Sequence, residues 1–213
     1  MEEPDPGHDG RSVLLLDRTG GPMTEAWIID ACRTPRGTGK VGKGSLAHLH
    51  TQRLGATVLA ALAERTGLDT GDVDDVIFGC SWQVGTQSGD LGRMAALDAG
   101  YPITASGVTL DRFCGSGITA VNLAAASVMS GLEDVVVAGG AEMMSSYKQN
   151  APKNRNPFMD NGNLHLRAQH PQTNQGVAAD AIATLEGIPR SALDALAAES
   201  QRRAEVAISE GRF

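Results

Sequence analysis

Cys114 is the residue in this sequence whose surroundings most clearly prepare it for chemistry. It stands in Gly107-Val108-Thr109-Leu110-Asp111-Arg112-Phe113-Cys114-Gly115-Ser116-Gly117-Ile118. That run reads as strand, tight turn and helix. Val108, Thr109 and Leu110 are β-formers, and from Ile118 an Ala-rich helical pattern runs to a stop near Gly131. An isolated cysteine is ordinarily a small buried hydrophobe. A strand–Cys–Gly-x-Gly–helix joint is an uncommon place for such a residue, so the reactive reading prevails here. A helix start offers unpaired N–H groups and the positive end of the helix dipole. Both favour a thiolate, and a thiolate is a sulfur nucleophile.

The other chemically capable residues lack such a setting. Cys32 reads as a structural residue at a strand end. Cys32, Cys80 and Cys114 are far apart, with no CxxC and no Cys/His grouping at zinc spacing, so no metal site is expected. His48 and His50 precede a helix and read as surface or capping residues. His165 and His170 belong to no recognisable motif. Lys148, Lys153, Arg155 and Arg167 could meet phosphates, although a solvated loop is the simpler account.

The elements that must position Cys114 alternate along the chain. Residues 1–22 read as an N-terminal extension, a mobile tail or a stretch preceding a true start at Met23. Trp27-Ile28-Ile29 is strand-like, and a Pro/Gly loop from Ala31 to Gly44 follows it. Leu54, Val58 and Leu62 mark one face of a helix stopped by Gly67. A second strand spans Asp74 to Gly79, and a helix runs from about Asp90 to Leu97. After the strand and helix flanking Cys114 comes Glu133 to Gly140, apolar on both faces as a buried parallel strand should be. This order implies an α/β layered domain over residues 23–144 with right-handed crossovers. Residues 145–172 lack periodicity and read as a functional loop or excursion. Two helices close the chain, one near Gly176–Glu186. The other begins at Ser191, whose spacing to Asp194 fits a capping box, and reaches about Glu210.

Composition narrows the function. The chain has 213 residues, 41% of them hydrophobic and only 4% aromatic, with a net charge of −7. That acidity argues against nonspecific nucleic-acid binding. No stretch is expected to cross a membrane. Val13–Leu16 is too short for a signal-peptide core, and the first residues are acidic. Three scattered cysteines point to a reducing, cytoplasmic setting.

Four segments together resemble one family. Asp111-Arg112-Phe113-Cys114-Gly115-Ser116-Gly117 resembles the nucleophile motif of thiolases. Ala31-Cys32-Arg33-Thr34-Pro35-Arg36-Gly37 near the start and Gly139-Gly140-Ala141-Glu142-Met143-Met144-Ser145 after the fourth strand resemble segments of the same family, and Glu199-Ser200-Gln201-Arg202-Arg203-Ala204 closing on Gly211-Arg212-Phe213 resembles the end of its loop-domain helix pair. The resemblance runs from about Met23 to Phe213. It implies the thiolase-like α/β layered fold, with two similar βαβ-type halves and a loop domain inserted in the first. This sequence matches the first half, with residues 145–213 as part of the loop domain. The family's Gly-His-Pro, Asn-containing and Cys-x-Gly-Gly-Gly motifs belong to the second half and are not in these residues.

The activity implied is thiolase-type acyl transfer: a 3-ketoacyl-CoA is cleaved with CoA, or the reverse condensation is run, through a Cys114 acyl-thioester. Coenzyme A is then a substrate, and no tightly bound cofactor is implied. Many members carry His-Met-Gly before the first loop-domain helix, near the acyl and pantetheine part of the substrate. Here the run is Asn174-Gln175-Gly176, which places Asn174 near that part. A similar Asn-Gln pair occurs in members acting on bulky steroid side chains. Family members are homodimers or tetramers. Without the second half's groups, these 213 residues alone are expected to turn over poorly. The alternative is a non-catalytic, thiolase-like subunit that binds acyl-CoA or a complementing C-terminal half.

Overall fold

The computed structural model describes residues 25–146 and 159–212. The extension at 1–22, Met23, Lys148, Lys153 and Arg155 lie outside the described residues.

Among the described residues three parallel strands form the sheet: β1 (Asp75–Gly79), β2 (Val108–Leu110) and β3 (Val136–Gly140), in the order β2-β1-β3. Each successive strand is reached through a helix, as parallel pairing requires. Helix α1 (Thr51–Thr66) precedes β1, α2 (Leu91–Asp98) joins β1 to β2, and α3 (Ser116–Ser130) joins β2 to β3. Period-two alternation divides β1 between two cores. Val76 and Phe78 pack with Leu59 of α1 and Leu91, Ala95 and Ala96 of α2. Ile77 faces the other way, against Ala120 and Ala124 of α3. Burying side chains the size of Leu59, Phe78 and Leu91 stabilises the fold by about 1.5–3 kcal/mol each.

Helix ends follow the signals in the sequence. His50 caps α1, its Nδ1 accepting the Gln52 N–H, and Gly67 ends that helix in the left-handed conformation. Asp90 caps α2 and Gly131 ends α3. Beyond the sheet lie α4 (Leu164–Gln169), α5 (Gln175–Leu185) and α6 (Arg190–Ser209), none of which has a fully buried residue.

Five expectations require correction. Trp27-Ile28-Ile29 forms no strand; it pairs with neither open edge of the sheet, and these side chains are 76%, 82% and 81% exposed. Cys32 is therefore not a strand-end residue; it is half-buried, its Sγ donating to the Val58 carbonyl at 3.4 Å. β3 is only half-buried, because it is an edge strand with one helix-covered face. The irregular stretch contains α4, nucleated by Asn163, whose side chain accepts the Leu166 N–H at 3.1 Å. The last helix starts one residue early, at Arg190. Asp194 binds Arg190 at 2.7 Å instead of completing a capping box with Ser191.

Among the described residues, Phe113–Ser130 has the length and apolarity to cross a membrane. Its two sides differ: Ala120 and Ala124 are buried against β1 and β3, while Ile118, Val121 and Met129 stay exposed.

Candidate active site

Cys114 lies where β2 ends and α3 is about to begin, one residue before Gly115, the N-cap of α3. The turn is built from its own side chains. The Phe113 N–H donates to Asp111 Oδ1 at 2.7 Å, and Phe113 adopts φ of +49°. Ser116 Oγ donates to the Phe113 carbonyl at 2.6 Å and accepts the Arg112 N–H at 2.9 Å. A bulky residue in the left-handed region stores strain, here held by five hydrogen bonds around residues 111–116. The result is a thiol carried on a sharp strand-to-helix elbow and open to solvent. Among the described residues no hydrogen bond ties down its sulfur.

The elbow sits against the carboxyl end of β1, which in turn lies beside that of β3. A Cβ added to Gly79 would lie 2.6 Å from the Ser116 carbonyl carbon and 2.8 Å from the Gly117 nitrogen. Gly79 is what lets the first turn of α3 touch the sheet edge. On α2, Asp90 Oδ1 accepts the Thr109 hydroxyl at 2.8 Å, and that hydroxyl accepts the Gly92 N–H at 2.9 Å. This pair fixes β2 just upstream of Cys114.

A polar cluster that the sequence did not reveal lies at the same edge. Gln87 Nε2 donates to Glu142 Oε1 at 2.9 Å and to the Trp82 carbonyl at 2.6 Å, while its Oε1 accepts the Met143 N–H. Glu142 Oε2 accepts the Ser81 N–H at 2.8 Å. Cys80, buried beside this cluster, is pushed up to about 11, first by burial and then by the negative charge of Glu142. The partners are 55 and 61 residues apart, so no local pattern could announce them.

The remaining candidates are not drawn to Cys114. Asn174 caps α5, its Oδ1 accepting the Gly176 N–H at 2.9 Å. Among the described residues no hydrogen bond links it to the elbow. Arg167 is committed to Asp160, with Nε–Oδ2 at 2.5 Å and Nη2–Oδ1 at 2.6 Å. That forked contact, chiefly its hydrogen bonds, holds the Asp160 carboxyl below the usual range. His48 is exposed, His165 bonds Gln169 at 3.1 Å, and His170 ends α4. Among the described residues no group of three or more His, Cys, Asp or Glu is placed to hold a metal ion.

The model of the thiolase N-terminal domain matches residues 26–213. The steroid 3-ketoacyl-CoA thiolase FadA6 of Mycobacterium tuberculosis is 48% identical over 126 residues, covering 59% of this chain and 30% of that relative. A 3-ketoacyl-CoA thiolase of Shewanella frigidimarina is 36% identical over 192 residues, 90% of this chain and 48% of the relative. One from Bacillus subtilis is 35% identical over 193 residues, 90% of this chain and 47% of the relative. The chain spans about half the length of the curated relatives it matches over most of its residues.

Proposed function

This chain belongs to the thiolase family, through its N-terminal domain, and from that premise we propose that it supplies the acyl-accepting half of a 3-ketoacyl-CoA thiolase. The observation that carries the proposal is Cys114, exposed on a strained elbow at the carboxyl edge of a parallel sheet. Open α/β sheets hold their ligands at that edge.

The Cys114 thiolate attacks the 3-keto carbon of a 3-ketoacyl-CoA. The bond between C2 and C3 breaks, and its electron pair leaves with acetyl-CoA, which takes up a proton. The acyl group remains on sulfur as a thioester until the thiolate of a second CoA removes it. The N–H groups at the start of α3, that of Cys114 among them, are the local candidates for stabilising an oxyanion. Losing one such donor costs about 3 kcal/mol of barrier. The general base and the acid that serves the leaving carbanion are assigned to motifs outside these 213 residues. The polypeptide alone is therefore expected to acylate without turning over.

For the substrate we favour a bulky, steroid-derived acyl chain. The Asn174-Gln175 pair and the similarity to a steroid thiolase support this. We place the reaction in the cytoplasm, with CoA and acyl-CoA as ligands and a homodimer or tetramer as the working form. The test is mass spectrometry of Cys114 after incubation with acetoacetyl-CoA and with a longer 3-ketoacyl-CoA. An acyl adduct that disappears in Cys114→Ala is expected. Binding of acyl-CoA with no adduct at any pH would instead support the non-catalytic subunit, a reading favoured by the apolar side chains that α3 leaves exposed.

A further inference from the structure

Two loops leave the carboxyl edge of the sheet beside the elbow, residues 80–88 after β1 and residues 141–146 after β3. Gln87 joins them. Its side chain is 2% exposed, yet both ends of its amide are used: the nitrogen on Glu142 and Trp82, the oxygen on the Met143 N–H. Glu142 carries the link back to Ser81. Immediately behind the two loops are Gly79 and Gly140, the last residues of their strands. Gly140 lies against the Gly79 carbonyl, and Gly79 lies against Ser116 and Gly117. A continuous path of contact thus runs from the Gln87–Glu142 pair to the turn that carries Cys114.

We propose that Gln87 and Glu142 are positioning residues for the Cys114 nucleophile. They lock two loops into one arrangement, and the loops in turn set where the first turn of α3 meets the sheet edge. This rests on the reading of Cys114 as acyl acceptor. Stability alone could be met by apolar packing between the loops. A buried amide satisfied at both ends, with a carboxylate as one partner, selects a single geometry. That selection matters at a reacting atom, where a shift of about 1 Å costs on the order of a hundredfold in rate.

The experiment compares the 213-residue chain with Gln87→Met and Gln87→Glu. Acylation of Cys114 by acetoacetyl-CoA is followed by mass spectrometry near pH 8.5, where an ordinary thiol ionises without a base. Alkylation of the same thiol by iodoacetamide, which needs no docked substrate, is measured in parallel. Gln87→Met is expected to slow acylation at least about tenfold while alkylation stays within about twofold. In Gln87→Glu two carboxylates face each other. Its deficit relative to the original chain should shrink between about pH 8 and about pH 5, as a shared proton restores the missing donor. A general loss of stability would not recover in acid. If the original chain acylates and Gln87→Met acylates equally fast, or the Gln87→Glu deficit is flat with pH, the positioning role is wrong. If the original chain never acylates, the acyl-acceptor reading falls and the positioning role falls with it.

Discussion

Phe113 shows how the elbow is paid for in strain. Its φ of +49° is tolerated because Asp111 and Ser116 bind the flanking backbone. Phe113→Val adds a branched Cβ to that conformation and is expected to destabilise the chain by about 1–2 kcal/mol, read as a lower urea midpoint, and to slow acylation of Cys114. The two cysteines near the sheet edge differ as sharply. With Cys80 pushed up to about 11, roughly one molecule in ten thousand carries its thiolate at neutral pH. Iodoacetamide at neutral pH should therefore label Cys114 and spare Cys80 until denaturant is added, as peptide mass spectrometry will show. Cys114 was legible in the sequence because its whole setting lies within a dozen consecutive residues. Gln87 and Glu142 were not, since each looks like an ordinary polar residue until the fold brings them together.

Among the elements, helices were read best, because caps such as Gly67, Asp90 and Gly131 are local signals. Strand membership was less legible. Trp27-Ile28-Ile29 has the composition of a strand, but a strand exists only once it pairs with a neighbour, and no window of sequence contains that pairing. The sheet edge nearest Cys114 should tolerate little. Gly79→Ala would force its new methyl into the first turn of α3 and is expected to cost about 1–3 kcal/mol, measured by chemical denaturation. At the opposite edge Asp74 ties the lead-in of β1 to that of β3, accepting the N–H groups of Asp134 at 2.8 Å and Val135 at 3.1 Å. Those bonds hold its carboxyl below the ordinary 3.8. A carboxyl depressed by folding stabilises above its unfolded value and loses that contribution as pH falls through the folded one. The stability gap between the original chain and Asp74→Ala should thus be full at neutral pH and close well below pH 3.8, a result that denaturant melts across pH will check.

At the scale of the molecule, α3 is covered on one side only. Away from Ala120 and Ala124 it presents Ile118, Val121 and Met129, of which Ile118 is 69% exposed. Turn spacing puts these three on one face. An apolar face of this kind marks a contact surface. The 213-residue chain is expected to self-associate at micromolar concentration, and Val121→Lys combined with Met129→Lys should return it toward a monomer in sedimentation. The layered architecture was legible in the alternation of elements; which layers this stretch completes was not, because packing between layers leaves no periodic mark of its own. The strand order carries a consequence for synthesis. β1 is the middle strand, yet β2 and β3 both follow it in the chain. At about 5–20 residues per second, roughly 3–12 seconds pass between the making of Gly79 and that of Gly140. For that interval the ribosome holds out a central strand with an unclaimed edge, and whatever guards nascent chains must guard Val76–Phe78 first.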